Sequence, residues 1–404
     1  MSKVILKKGR EESLLRFHPW VFSGAIAQIV GEPAEGDVVG VYSSRGDFLA
    51  CGHYQIGSIA VRILSFNDDA LKPDYYKNMI GSALHLRIAM GLAVKPGEDA
   101  SGRKTNCYRL VHGEGDGLPG LIVDWYDGVC VMQAHSAGIF RAKKQVCEAL
   151  KAVYGDSLKA VYDKSSGTAP FKAGLELVDG YLYKKEGFND DEQTVIENGH
   201  KFLVNWTEGQ KTGFFLDQRE NRAMVEKLSA GRKVLNLFCY TGGFSIYALG
   251  GGALHVDSVD SSAKAMSMVE RNVLLNGFDP SMHNSFCCDA MDYLHDSPEG
   301  EYDLMIVDPP AFAKHRGALH NALRAYQRLN AAAISKVKPG GFIFTFSCSQ
   351  VVDKEAFALA VFSAAAQSGR RVRILDRLNQ PADHAVNIYH PEGEYLKGLL
   401  LYVE

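Results

Sequence analysis

Two residues in the C-terminal half of the sequence have side chains that could take part in one covalent reaction. Cys348 lies between two serines after the apolar run 341–346, and Asp308 precedes two prolines after the run 304–307. A thiolate is a strong nucleophile, and a carboxylate can hold N3 and the exocyclic amine of a pyrimidine while charge develops on its ring. With a methyl donor, these groups indicate methylation at C5, because thiolate attack at C6 first makes C5 nucleophilic.

A second group of residues indicates a cofactor that contains a nucleoside. The loop 239–244 has two adjacent glycines, which allow a tight turn and a close backbone approach, but it lacks the G-x-G-x-x-G pattern of pyrophosphate sites. Asp260 ends the next strand and can accept from ribose hydroxyls, and Asp289 follows the third and can accept from an adenine amine. Aspartate is also common at helix N-caps. The loop after the first strand and the aspartates after the second and third strands, in this order, favour S-adenosylmethionine.

The sequence offers a second thiol near the same edge, and it leaves one catalytic group unnamed. Cys239 lies in the cofactor loop, and we interpret it as a packing residue because a nucleophile must face the base. The base that removes the C5 proton is not identified.

These residues need a doubly wound, mostly parallel sheet to bring them together. From about Thr194 onward, strands and helices alternate, and this order predicts a Rossmann-like α/β domain. Ligands bind such sheets beyond the carboxyl ends of the strands. The predicted strands are 234–238, 255–259, 304–307 and 341–346, and the predicted helices include 262–275 and 323–337.

The first 190 residues are richer in strands. We expect a small β-barrel over 1–73, and a central α+β domain over 74–190 that begins with a helix at 74–90. Asp127-Gly128 predicts a hairpin. We assign the central domain the order two strands, helix, two strands, and we give residues 191–404 to the sheet domain. The expected strands are 38–42, 48–51, 59–64, 108–111, 121–126, 129–133, 160–162 and 180–183, and the expected helix is 140–153.

The composition is that of a soluble globular protein of two or three domains. The chain has 404 residues with 46% hydrophobic and 23% charged residues, and a net charge of −3, so no overall basic excess marks a nucleic-acid binder. No apolar run is long enough to span a bilayer, and the first residues become charged too soon for a signal peptide. The eight cysteines form no C-x-x-C pair. We therefore expect a reduced, cytoplasmic protein without a metal site or a membrane partner.

Several motifs together resemble those of bacterial 23S rRNA cytosine-5 methyltransferases that carry an N-terminal PUA domain. The similarity runs essentially from end to end. The segments that carry it are His18–Phe22, Gly115–Gly120, Lys211–Arg222, Leu235–Ser245, Val307–Phe312, Ser347–Ser349 and His390–Lys397.

The resemblance implies an RNA-binding PUA barrel, a central domain, a class I methyltransferase domain and a 23S rRNA target in a single-stranded or loop segment. It leaves a homodimer open. It implies Cys348 and Asp308 as catalytic residues and a cofactor pocket lined in part by the segment 214–222, where Phe215 can cover the adenine or sulfonium and Arg219 can reach a carboxylate. The expected cofactor residues are Phe215, Asp217, Gln218, Arg219, Asn236, Phe238, Tyr240, Thr241, Gly242, Asp260, Ser261, Asp289, Ala290 and Asp308.

Three alternatives remain open at this stage. Many RNA cytosine-5 methyltransferases have a second cysteine after the motif IV proline, but Ala311 stands here, and uridine-5 methyltransferases share this single thiol. Methylation of an exocyclic nitrogen of adenine or guanine would suit Asp-Pro-Pro followed by an aromatic residue, whereas Phe312 comes one position later. An RNA-binding adaptor with a vestigial cofactor site is the non-enzymatic reading.

The expected RNA contact lies in the first domain. Lys3, Lys7, Lys8 and Arg10 open the chain, and Trp20 and Phe22 supply aromatic surface. Because acidic and basic residues nearly balance over 1–73, we expect recognition through a local patch with a modest dependence on salt.

Overall fold

The computed structural model describes residues 1–98, 102–170, 174–313 and 315–404. The chain divides into two compact units, and each of them is built from three separate segments. The first unit contains Met1–Val195, Val204–Phe214 and Ala382–Gly393, and the second contains Ile196–Leu203, Phe215–Pro381 and Glu394–Glu404.

A six-stranded sheet forms the start of the first unit. Its elements are β1 (Lys3–Leu6), α1 (Glu12–Leu15), β2 (Trp20–Phe22), β3 (Ile26–Val30), β4 (Val38–Tyr42), β5 (Phe48–Tyr54) and β6 (Ile59–Ser65). The strand order is β2-β6-β5-β4-β1-β3, and the only parallel neighbours are β1 and β4. Alternate apolar residues such as Val4 and Leu6, or Val39 and Val41, are buried, as the two-residue period of a strand requires.

A five-stranded sheet with three helices completes most of the first unit. Its elements are α2 (Tyr75–Ala89), β7 (Cys107–His112), β8 (Leu121–Tyr126), β9 (Val129–Ala134), α3 (Ala137–Arg141), α4 (Lys143–Tyr154), β10 (Ala160–Asp163) and β11 (Gly180–Lys184). The strand order is β11-β10-β9-β8-β7. The predicted order of two strands, helix and two strands describes β8 to β11, and β7 adds an edge strand before them.

Two local features of this sheet follow from the sequence. Asp127 and Gly128 join β8 to β9 with positive φ values of 42° and 101°, which is the conformation that an Asp-Gly hairpin favours. The single helix predicted for 140–153 is instead two helices, because α3 begins earlier at the N-cap Ser136 and ends before Ala142.

A seven-stranded sheet with helices on its connections forms the second unit. The hairpin β12 (Glu192–Glu197) and β13 (His200–Asn205) precedes it along the chain. Its elements are α5 (Arg219–Lys227), β14 (Lys233–Leu237), α6 (Gly243–Gly250), β15 (His255–Asp260), α7 (Ala263–Leu275), β16 (His283–Cys287), α8 (Ala290–Asp296), β17 (Leu304–Val307), α9 (Leu319–Lys336), β18 (Gly341–Ser347), α10 (Lys354–Ser368), β19 (Val372–Asn379) and β20 (Lys397–Val403).

The strand order in this sheet brings the predicted site residues to the carboxyl ends of adjacent strands. The order is β16-β15-β14-β17-β18-β20-β19, and all neighbours are parallel except those of β20. The chain runs outward from β14 to β16 and then returns to the other side of β14 with β17, so the switch point lies between β14 and β17. The predicted doubly wound, mostly parallel sheet is confirmed.

Among the described residues, no helix is long and apolar enough to cross a membrane. The same residues contain no cluster of three or more His, Cys, Asp or Glu side chains that could hold a metal ion. All eight cysteines are free thiols.

Candidate active site

The loop after β14 is held in an unusual backbone conformation. Phe238 and Tyr240 have positive φ values of 57° and 47°, and Gly242 has 81°. Such values are costly for residues other than glycine, and they persist only where the surroundings fix them. The Gly242 amide donates to the Cys239 carbonyl at 2.9 Å, which closes the turn just before α6.

Asp260, at the end of β15, fixes this loop. Its Oδ2 accepts from the Tyr240 amide at 3.0 Å, and its Oδ1 accepts from the Ser262 amide at 2.9 Å. Each carboxylate oxygen can accept a further hydrogen bond, and Asp260 is half-buried, with the exposed Ser261 beside it. The carboxylate can therefore position the loop and accept from a ligand hydroxyl at the same time.

The loop is also held from below by α7. Asn272, which is fully buried, donates from Nδ2 to the Thr241 carbonyl at 2.9 Å. A Cβ atom at Gly242 would lie 2.9 Å from Cγ1 of Val269 on the same helix, so this position has room only for glycine. Sequence reasoning missed Asn272, although a polar residue on the apolar face of a helix was a usable signal.

Asp289 and Ala290 stand at the end of the third strand. Asp289 is the N-cap of α8, where Oδ1 accepts from the amides of Met291 and Asp292. The side chain is exposed, whereas Ala290 is buried in the core of the unit. The capping role is thus present, and the exposed carboxylate remains reachable by a ligand.

Asn236 lies beneath the loop within β14, where it is fully buried. Its Nδ2 donates to Ser245 at 2.8 Å, and a chain of hydroxyls continues through Ser258 to Nε2 of His283 at 2.8 Å. Burial lowers the pKa of His283 to about 4, so the ring is neutral at pH 7. Asn236 Oδ1 has no hydrogen-bond partner among the described residues.

The segment before α5 brings three predicted cofactor residues toward this edge. The ring of Phe215 lies 5.0 Å from that of Tyr240 in an edge-to-face contact. Asp217 is buried and its Oδ2 accepts from the Tyr395 hydroxyl at 2.6 Å. Gln218 is also buried and donates from Nε2 to Asp308 at 3.0 Å. The segment thus connects the loop after β14 with the residue after β17.

Arg219 faces a carboxylate that belongs to the protein itself. Its Nε lies 3.6 Å from Glu197, and the side chain is 1% exposed. Arg222 binds the same fully buried carboxylate with two hydrogen bonds of 2.8 Å, and the Tyr247 hydroxyl adds a third at 2.9 Å. This cluster fixes α5 under the site. The sequence did not identify Glu197, because its partners are distant along the chain.

Asp308 and Cys348 leave neighbouring parallel strands. Val307 pairs with Thr345 in the sheet, so both loops start side by side at the same edge. Asp308 and Cys348 are each half-buried. The amide of Ala313 donates to Oγ of Ser349 at 3.4 Å, which links the two loops.

A buried tyrosine holds both serines that flank Cys348. The Tyr326 hydroxyl on α9 lies 2.9 Å from Oγ of Ser347 and 3.1 Å from Oγ of Ser349, and all three side chains are fully buried. The ring of Phe312 packs on Tyr326 with a centroid distance of 4.7 Å. Nothing in the spacing of Tyr326 along the sequence marked it as part of the site.

The two candidate thiols have different surroundings. Cys239 is 6% exposed and its Sγ lies 3.7 Å from Sδ of Met266. Burial raises the pKa of the Cys239 thiol well above its usual range. Such a thiol is a poor nucleophile, which agrees with the interpretation of Cys239 as a packing residue.

The motif 115–120 lies in the first unit and forms part of a buried ion pair. Arg87 is fully buried and binds the Asp116 carboxylate with both terminal nitrogens. It also donates to the Asp383 carbonyl at 2.7 Å, and a Cβ atom at Gly115 would lie 1.9 Å from the Ala385 carbonyl oxygen. This motif therefore anchors the segment 382–393 in the first unit.

The sequence matches two family descriptions. Residues 108–393 match the S-adenosylmethionine-dependent methyltransferase family, and residues 4–66 match the PUA-like domain. A protein from Alteromonas mediterranea named Ribosomal RNA large subunit methyltransferase I is 38% identical over 403 residues, which cover 99% of this chain and 98% of the relative. The protein of the same name from Aeromonas hydrophila subsp. hydrophila is 38% identical over 406 residues, with 99% of both chains covered.

Solved structures show the same fold over the whole length. A SAM-dependent methyltransferase from Streptococcus mutans aligns with a TM-score of 0.82 and 23% identity, and it covers 100% of both chains. A crystal structure of a methyltransferase complexed with SAH aligns with a TM-score of 0.84, 24% identity and the same coverage. At this level of identity, the likeness concerns the fold alone.

Proposed function

Since the chain belongs to the family of S-adenosylmethionine-dependent methyltransferases, we propose that it methylates C5 of a cytosine in the RNA of the large ribosomal subunit. The relatives named Ribosomal RNA large subunit methyltransferase I support the substrate class. The observation that carries the choice of C5 is the half-buried Cys348 beside Asp308 at the ends of adjacent strands. The reaction would take place in the bacterial cytoplasm, where rRNA is made.

The residues at the carboxyl edge fit S-adenosylmethionine. The half-buried carboxylate of Asp260 suits the ribose hydroxyls, and the exposed carboxylate of Asp289 suits the adenine amine. The paired rings of Phe215 and Tyr240 offer an apolar wall, and the unpartnered Oδ1 of Asn236 lies below the loop. When bound, the cofactor supplies the methyl group.

The protein's own groups would activate the base in two steps. The Cys348 thiolate attacks C6 and forms a carbon–sulfur bond, which makes C5 nucleophilic. Asp308, oriented by the Gln218 amide, holds the ring edge, and in its carboxylic acid form it would give a proton to N3, where negative charge develops as the thiolate adds to C6. After methylation, loss of the C5 proton to a base allows the carbon–sulfur bond to break and frees the thiolate.

The surroundings of Phe312 argue against methylation of an exocyclic nitrogen. That chemistry would use an aromatic residue after the two prolines to stack on the target base. Here Ala311 occupies the position, and the Phe312 ring packs on Tyr326 inside the unit. The aromatic ring is therefore engaged in packing, whereas Cys348 would have no role in nitrogen methylation.

The first unit offers a surface for unpaired RNA bases. Phe17, Phe22 and Tyr389 are each about half exposed, at 48%, 47% and 50%. Phe17 lies 5.4 Å from Tyr389, and Phe22 lies 6.1 Å from Trp20. Exposed aromatic rings stack on bases of single-stranded RNA.

Basic groups lie beside these rings. Arg10 and Phe22 line the same surface cavity of about 470 Å³, and Lys7 donates to the Gly24 carbonyl on its wall. We call this surface, made of Phe17, Trp20, Phe22 and Tyr389 with Lys7 and Arg10, the aromatic platform. It would bind a single-stranded stretch of the substrate RNA.

Identification of the modified nucleoside tests the proposed reaction. The purified protein is incubated with deproteinised large-subunit rRNA and S-adenosylmethionine, and the digested nucleosides are identified by mass spectrometry. We expect 5-methylcytidine with the wild-type protein and none with Cys348→Ser. A methylated adenine or guanine, or 5-methyluridine, would overturn the choice of cytosine C5. Binding of S-adenosylmethionine without any methylation of RNA would support the adaptor instead.

A further inference from the structure

A buried lysine on β20 holds the loop that carries Cys348. Lys397 pairs with Ser347 across the antiparallel strands β18 and β20, and it is only 5% exposed. Its Nζ donates to the carbonyl of Ser349 and to that of Val352, each at 2.6 Å. The ammonium group therefore ties down the chain immediately after the thiol.

Keeping a charge at this position is costly. An ammonium group taken out of water loses much of its hydration energy, and two neutral carbonyls replace it only in part. Burial accordingly lowers the pKa of Lys397 to about 8. A neutral donor such as glutamine could bind the same carbonyls without this cost, so the positive charge itself calls for an explanation.

Three acidic groups near Lys397, which are negative when ionised, can explain why a positive charge lies at this position. Cys348, Asp353 and Glu394 raise the pKa of Lys397 against the effect of burial, and Cys348 has the largest effect of the three. Asp353 already caps α10 through the amide of Ala356, and Glu394 forms an ion pair with Lys354 at 2.5 Å. Asp353 and Glu394 thus have other partners, whereas the ionised form of Cys348 is the group with the largest electrostatic effect on the lysine.

A neutral hydroxyl, that of Tyr326, also interacts with the thiol. Burial raises the pKa of Tyr326, and the thiolate of Cys348 raises it further, so this side chain stays protonated. Electrostatic coupling between two groups is reciprocal. A thiolate that favours the ammonium form of Lys397 is therefore itself favoured by that ammonium group.

We propose that Lys397 is a positioning residue that fixes the loop from Ser347 to Val352 and favours the thiolate form of Cys348. Its relevance to methyl transfer rests on the proposed function, but its effect on the thiol does not. A thiol with an ordinary pKa of about 8.5 is mostly protonated at pH 7. The lysine thus explains how a half-buried cysteine becomes a nucleophile without a neighbouring histidine in the motif.

The rate of thiol alkylation tests this inference without RNA or cofactor. The protein is treated with iodoacetamide between pH 6 and pH 9.5, and mass spectrometry follows the peptide that contains Cys348. The exposed Cys287 serves as the reference thiol in the same sample. The variant Lys397→Gln keeps a donor for the two carbonyls but removes the charge.

We expect Lys397→Gln to slow alkylation of Cys348 about tenfold at pH 7 and to move its half-maximal rate to higher pH, with Cys287 unchanged. Lys397→Arg keeps the charge and should restore most of the wild-type profile. The matched control Lys338→Gln removes an exposed charge just before the opposite end of β18, where Lys338 pairs with Asp303, and it should leave the profile unchanged. An identical profile in wild type and Lys397→Gln would overturn the inference.

The nucleoside analysis separates this inference from the proposed function. If the alkylation profile shifts as expected but the product is not 5-methylcytidine, Lys397 still activates the thiol and only the proposed reaction fails. If 5-methylcytidine forms and alkylation does not depend on residue 397, the reaction stands and the role of Lys397 is wrong.

Discussion

The loop after β14 and the loop after β18 leave the same sheet edge, but they are fixed by different means. After β14 the backbone adopts positive φ values at Phe238 and Tyr240, and the side chains of Asp260 and Asn272 hold this conformation. After β18 no residue from Ser347 to Val352 has a positive φ. There the loop is held by side chains from elsewhere, Tyr326 on α9 and Lys397 on β20.

This difference corresponds to two tasks. A loop fixed by its backbone presents amides and carbonyls at constant positions, which suits a cofactor of constant shape. Where distant side chains hold a loop, a charged side chain among them can change the electrostatic environment of a residue in the loop. Such an arrangement suits a nucleophile. The two cysteines show the result, since Cys239 is packed against Met266 with a raised thiol pKa, whereas Cys348 is half-buried beside a lysine.

The largest expected effect concerns the carboxyl group of Asp308. Asp308→Asn keeps the shape and a hydrogen bond to Gln218, but an amide cannot give N3 the proton that offsets the negative charge developing on the base. We expect single-turnover methyl transfer to slow about 100- to 1000-fold, the typical cost of losing one such electrostatic contact. A rate within fivefold of wild type would mean that the shape of residue 308, rather than its ability to give a proton, matters for the reaction.

The next effect concerns the buried hydrogen bonds that run from Asn236 to His283 beneath the cofactor loop. His283 has a folded-state pKa of about 4, below its usual value of 6.5, because it is buried. The unfolded chain therefore binds a proton between these values and the folded chain does not, so stability is present above pH 6.5 and is lost as the pH falls toward 4.

Urea unfolding at pH 7.0 and pH 4.5 measures this loss. The wild type should lose about 2–3 kcal/mol more between the two pH values than His283→Gln, which has no titratable ring. Equal losses in the two proteins would show that His283 is protonated in the folded state, and the support beneath the loop would need another explanation.

A somewhat smaller effect is expected on the affinity for the cofactor. Asp260→Ala removes the acceptor for a ribose hydroxyl and also releases the Tyr240 amide. We expect the affinity for S-adenosylmethionine to fall by about 1–3 kcal/mol, measured by calorimetry. Asp289→Ala is the matched comparison, and its effect should be smaller because that carboxylate is exposed. An unchanged dissociation constant in Asp260→Ala would remove Asp260 from the cofactor site.

How far the sequence predicted the residues of these two loops depends on the kind of residue. Gly242, Asp260, Asp308 and Cys348 were identified because each type does a distinctive job at the end of a predicted strand. Tyr326, Lys397 and Asn272 were missed, because which distant side chains meet at a loop depends on packing that spacing along the chain does not reveal.

The predicted set also contained residues whose surroundings could not be foreseen. Asn236 and Arg219 were expected to face the cofactor, and the structure places both among buried polar groups of the protein, Ser245 for the first and Glu197 for the second. The strands and helices of the sheet domain were predictable, because their apolar periodicity is strong.

The smallest expected effect concerns the aromatic platform. Phe22→Ala should weaken binding of a single-stranded RNA oligonucleotide by about 1 kcal/mol and should leave the salt dependence unchanged, because stacking and not charge is lost. Phe362→Ala is the matched control, since that ring is 67% exposed on α10. Equal losses in both variants would show that RNA contacts exposed rings without preference for the platform.

The most direct test of the central claim uses RNA with 5-fluorocytosine at the target position. Fluorine cannot leave as a proton does, so the thiolate adduct at C6 should persist and survive a denaturing gel. We expect the adduct with the wild-type protein and with Cys239→Ser, and its complete absence with Cys348→Ser. An adduct that persists in Cys348→Ser and disappears in Cys239→Ser would contradict the account and move the reaction to the thiol of the cofactor loop.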